Sequence, residues 1–259
     1  MIQFIEQGNT IFREIVFQHP FFNHLNSADL YARHISSIDA YRQFYIQQIR
    51  TLNQNVKQKI IMCITSILPY LPYRLRQFDW KIVCFAHSNI EGNMCHTLED
   101  YICLTPSWFH KSNSDQCYIL VHELIHIFQK RFSNETNQWI FKFLGMTPQH
   151  KYVIHRERSN PDLNELGYGW NRNYLAMVYN SDTPNSLQDA SYKLVSKNEI
   201  QPISRNEINT KINKNAFACM DQLEHPYEMM ATYLARLILK LCPNIKEDSD
   251  FHLQIFYET

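Results

Sequence analysis

Cys117-Tyr118-Ile119-Leu120-Val121-His122-Glu123-Leu124-Ile125-His126-Ile127-Phe128 is the stretch on which the reading of this chain turns. Its apolar run predicts a buried helix. Within that helix His122 and His126 stand one turn apart on one face. Two imidazoles so placed can hold one zinc ion, and Glu123, beside the first of them, can reach a water on that metal.

Outward from this helix the chain reads as α+β. The spacing predicts the motif helix over about 115–132, with Ser114 and Asp115 as capping groups. A second helix is expected over 134–144, ending near Gly145. Before them, Trp80–Ala86 and Tyr101–Thr105 have strand character and can pair as part of a small sheet, with a turn-rich patch over 87–93. The first eighty residues read as helical. Apolar positions recur at helical spacing from Ser27, a cap, to Leu52, and a second segment covers 56–68. Beyond Thr147 the chain is irregular. Asn160-Pro161-Asp162, Gly167-Tyr168-Gly169 and Thr183-Pro184-Asn185 are turn signals, and 174–179 and 192–195 are expected strands. A last helix is expected over 226–241, opened by Pro226 and stopped by Pro243.

Composition bounds what the chain can be. It has 259 residues, 45% apolar and 19% charged, with a formal net charge of zero. That is a globular composition with no basic run, so no nucleic-acid partner is expected. Five glycines and the absence of GxGxxG or P-loop patterns argue against phosphate loops. Seven scattered cysteines without a CxxC pair favour reduced thiols over a disulfide framework or a zinc knuckle. No run of about 18 apolar residues predicts a membrane span. The N-terminus lacks the pattern of a cleaved signal. A cytoplasmic or otherwise intracellular protein is expected, and signal-independent secretion into a host is compatible with the same sequence.

Catalytic zinc takes three protein ligands and keeps one position for water. A third histidine ten residues after His122 is missing, because position 132 is Phe132. The third ligand must therefore come from a later element. Glu228, at the start of the 226–241 helix with small Ala231 one turn on, is the first choice. Glu165, Asp162 and Glu157 are the alternatives. Asp162 can instead orient a ligating histidine or simply serve its turn.

The string His122-Glu123-Leu124-Ile125-His126, with a later helical glutamate, resembles the gluzincin group of HExxH zinc metallopeptidases, and is identical to the corresponding string of the clostridial neurotoxin light chains. The interval before Glu228 is longer than in those proteins. The resemblance implies a zincin-like fold, one Zn2+ and zinc metalloendopeptidase activity on a protein or peptide substrate. Glu123 would be general base to the zinc-bound water. A sheet edge would receive the substrate backbone. An oxyanion or substrate donor is also implied, with Tyr168, Arg172, His225 and Tyr227 as candidates. The expected layout is one unit: a helical N-terminal part over 1–79, the sheet and motif helix over 80–145, and a C-terminal part over 146–259 with the third-ligand helix. The competing reading is a non-catalytic, zinc-stabilised protein-binding module on the same fold. The oligomeric state has no sequence signal.

Overall fold

A computed structural model describes residues 1–163, 166–212, 222–241 and 252–257. The chain opens with strand β1 (Ile2–Ile5). It continues through helices α1 (Thr10–Gln18), α2 (Pro20–Asn23), α3 (Ser27–Ala32), α4 (Ile38–Gln47), α5 (Gln54–Ile67) and α6 (Tyr73–Arg76). Strands β2 (Trp80–Cys84), β3 (His96–Leu98) and β4 (Tyr101–Leu104) follow, then helices α7 (Pro106–Phe109), α8 (Asn113–Arg131) and α9 (Ser133–Leu144). The later part holds β5 (Thr147–Gln149), β6 (Gly167–Gly169), β7 (Tyr174–Tyr179), β8 (Ala190–Val195), β9 (Ile200–Pro202), α10 (Arg205–Lys211) and α11 (Pro226–Ile238). The class is α+β. No helix among the described residues is long and apolar enough to cross a membrane.

The first sheet runs β1-β2-β4-β3. The two expected strands do pair, in parallel, with Ile82 opposite Ile102. Neither is the edge beside the site. That edge is β3, antiparallel to β4, which the sequence left between a turn patch and a strand. Alternation along the strands divides the core. Ile82, Cys84, Ile102 and Leu104 face α5 and α8, while Val83, Phe85, Leu98 and Tyr101 face Phe12, Phe22, Tyr41 and Tyr45 of the N-terminal helices. The second sheet is an antiparallel meander from β5 to β9. Gly167-Tyr168-Gly169, expected as a turn, is strand β6. The Tyr174 ring lies where a side chain at Gly167 would stand, and a Cβ at Gly169 would sit 2.0 Å from the Asn173 carbonyl.

Helix α8 is the centre of the fold. Leu120 through Gln129 are all buried, between the sheet, α5 and α11. Each large apolar side chain there contributes about 1.5–3 kcal/mol by leaving water. Its cap is Ser112, whose hydroxyl accepts from the Asp115 amide, two residues earlier than expected. The helix expected from Ser27 to Leu52 is instead two helices. Asn26 and Asp29 form a capping box on α3, His34 breaks the chain at φ 56°, and Ser37 caps α4. Helical spacing persists across such a break because α3 and α4 each keep their own apolar face.

Candidate metal centre

Helix α8 carries His122 and His126 with their Nε2 atoms 3.0 Å apart. Helix α11 brings Glu228 to the same point. Its Oε2 lies 3.2 Å from His122 Nε2 and 3.4 Å from His126 Nε2. The approach is local sequence made geometry. Pro226 occupies the first helical position, and His225 caps the helix, its Nδ1 accepting from the Tyr227 amide. Ala231 and Ala235, fully buried, let α11 lie close against its neighbours. All three side chains at this point are buried. Donors about 2.1 Å from a zinc ion at tetrahedral angles stand about 3.4 Å from one another. The triangle of 3.0, 3.2 and 3.4 Å is close to that spacing, so the residues present fit the metal.

The charges support the same arrangement. Burial raises the Glu228 carboxyl, but the charge of His126 and hydrogen bonds with both histidines outweigh it and hold it well below the usual range. Burial lowers His126, yet Glu228 and Asp162 raise it to about 9. This is the balance of a buried acid beside an imidazole, and a dication would replace the proton that His126 otherwise carries.

Two amide side chains complete the site, and the sequence reading named neither as a site residue. Gln129, one turn beyond His126, accepts at Oε1 from His126 Nδ1 at 2.8 Å and donates from Nε2 to the Tyr227 carbonyl at 2.9 Å. It fixes the tautomer that points Nε2 at the point shared with His122 and Glu228, and it ties α8 to α11. Asn160 donates from Nδ2 to Glu228 Oε1 at 2.9 Å and to Glu224 Oε1 at 3.0 Å. The position of Gln129 on the histidine face was visible in the sequence; Asn160, 68 residues from Glu228, left no local trace.

Glu123 lies beside this point, buried, and its Oε2 has no hydrogen-bond partner. Burial first, then the charge of Asp162, pushes its carboxyl well above the ordinary value. Glu123, His126 and Asp162 form a second close group, which shares His126 with the first. Asp162 lies in the expected turn, since the Leu163 amide donates to the Asn160 carbonyl. It makes no hydrogen bond to either histidine; Gln129 orients His126. Asp162 Oδ1 accepts instead from the Thr97 amide and hydroxyl on β3. Lys130 spends its ammonium on Thr97 and the Pro161 carbonyl. A cavity of about 490 Å³ opens over Glu123, His122 and Glu228 and is walled by Cys95, Tyr118 and Asn160.

The four candidate donors lie elsewhere. Tyr168, on β6, donates to Asn137 Oδ1 and packs against His225 and Tyr227. His225 is the helix cap, and Tyr227 is buried behind it. Arg172 is exposed in the β6–β7 turn at φ 64°. None of the four lines the cavity. The phenol that does so is Tyr118, one turn before His122, with ring centroids 5.9 Å apart. Glu157 is held by Lys151 and Tyr174, away from the histidines. Glu165 falls outside the described residues.

Comparison with family models, with curated proteins and with solved structures finds no match to this chain.

Proposed function

We propose that this protein is a zinc-dependent peptidase of the gluzincin type, with a zincin-like fold, hydrolysing peptide bonds of a protein or peptide substrate. The observation that carries this reading is the convergence of His122, His126 and Glu228 on one point, with the unpartnered carboxylate of Glu123 beside it at the floor of a cavity. Zinc, when bound, supplies Lewis acidity, acidifying a water and polarising a carbonyl. His122, His126 and Glu228 would hold it. Glu123 takes the proton of the attacking water and delivers it to the leaving amine. Burial and the charge of Asp162 raise the Glu123 carboxyl, which makes it a stronger proton acceptor than an ordinary carboxylate. An extended peptide laid on β3 would pair beside Cys95, since Asp162 and Lys130 already occupy the outward amide and carbonyl of Thr97.

A non-catalytic zinc module needs the three ligands alone. It gives no reason to bury Glu123 with a free oxygen, which costs about 1–3 kcal/mol. Glu123→Gln is expected to keep zinc and to lose cleavage by about 10²–10⁴-fold. Digestion of a peptide library with a chelator control measures it, and undiminished cleavage by this variant removes Glu123 as the base.

A further inference from the structure

Glu228 has two oxygens, and the structure treats them differently. Oε2 faces the two imidazoles, whereas Oε1 is turned away and accepts from Asn160 Nδ2 at 2.9 Å. Asn160 has little freedom to give way. Its Nδ2 also donates to Glu224 Oε1, and its Oδ1 accepts from the Asp162 amide at 2.9 Å. Glu224 is in turn held by Arg158 at 2.5 Å. Ser159, between Arg158 and Asn160, donates from both its amide and its hydroxyl to Asp29 on α3. Asp29 is paired with Arg33, which is paired with Glu91 in the cavity wall; the side chains of Asp29 and Arg33 are fully buried. Tyr41 also donates to Glu91. Glu91 itself sits at φ 44°, a left-handed conformation that a non-glycine residue keeps only when its surroundings hold it there.

We infer that Asn160 is a positioning residue that keeps Glu228 a one-oxygen ligand, so that the fourth zinc position stays open, and that the N-terminal helices serve the site by clamping the loop that carries it. The inference rests on the zinc reading above. A glutamate free at both oxygens can close on a metal through both, adding a fifth ligand that crowds the position a water or substrate carbonyl needs. An amide donor on Oε1 competes with that closure. A charge-assisted hydrogen bond of this kind is strong enough to decide between two ligand modes of similar energy.

The test uses the full chain loaded with cobalt(II), whose visible absorption is strong at four-coordinate sites and weak at higher coordination. Asn160→Leu keeps the approximate shape and removes the donor; Asn160→Ala serves as second variant if the first does not fold by circular dichroism. Wild type is expected to give the intense spectrum, and the variants are expected to bind cobalt with a weakened band. Variants with the wild-type band overturn the inference and leave the zinc reading standing. A folded wild type that takes up no cobalt or zinc overturns both.

Discussion

The helix pair α8–α11 and the loop from Arg158 to Asp162 hold the same carboxylate, Glu228, by different means. The helices do it by apolar burial. Leu120, Leu124, Ile125, Met229 and Ala231 are fully buried, and each loss of a methylene is a local, graded cost. The loop does it by polar contacts, Glu91–Arg33–Asp29–Ser159 on one side of a peptide bond and Asn160–Glu228 on the other. There a missing partner leaves another group buried and unsatisfied, so cost is set by connectivity and not by size. A buried carboxylate that presents one chosen oxygen needs both: bulk to bring the helix near, and directed donors to fix which oxygen points where.

That contrast can be broken or sharpened by unfolding the zinc-free chain in urea. Arg33→Met removes the centre of the buried network and strands Asp29 and Glu91; it is expected to cost about 3–5 kcal/mol. A change under about 1 kcal/mol would show that the network is not what holds the loop. Acid comes next. Burial lowers His225 to about 3, while the unfolded chain titrates it near 6.5. The unfolded state therefore binds the extra proton between these values. The His225 contribution is complete above about pH 6.5 and is lost as pH falls toward about 3, at up to about 1.4 kcal/mol per unit. Protonation also puts a hydrogen on Nδ1, which the Tyr227 amide needs as acceptor. His225→Asn keeps a capping group without that titration, and should show a flatter stability curve in this window. A curve of unchanged slope would place the acid sensitivity elsewhere.

Gln129→Ala should cost about 1–3 kcal/mol in the same unfolding assay, by leaving His126 Nδ1 and the Tyr227 carbonyl without their partner. It should also weaken zinc binding by about 10–100-fold in a chelator competition. Equal zinc affinity would show that His126 needs no orienting partner. Leu124→Met, a volume-conserving change in the helix contact, is expected to cost less than about 1.5 kcal/mol. If it costs more than Arg33→Met, the contrast between the two regions is inverted.

How much of this was legible follows from the same physics. Helices α8, α9 and α11 were readable to within a few residues, because apolar spacing, Pro226 and Gly145 are local signals. So were β2, β4 and β7. The convergence of His122, His126 and Glu228 was nameable because a helical histidine pair demands a third ligand and Glu228 opens a later apolar helix with small Ala231 one turn on. Strand β3 was missed because three residues carry no period, and β6 because its glycines serve close approach of Tyr174 and not a turn. The break at His34 was hidden by apolar spacing on both sides of it. Asn160 and the Arg33 network were invisible, because hydrogen bonds between residues as far apart as Asp29 and Ser159 have no sequence period at all. The candidate donors Tyr168, Arg172, His225 and Tyr227 were chosen by residue type, and type alone does not say which way a side chain faces.

On the proposed reading, two imidazoles and one carboxylate oxygen make a single zinc position. Zinc titration of the metal-free full chain, followed by calorimetry beside Glu228→Ala and His126→Ala, tests it most directly. One zinc per wild-type chain is expected, with binding weakened by at least about tenfold in either folded variant. A wild type that binds no zinc, or variants that bind it as tightly, would contradict the account.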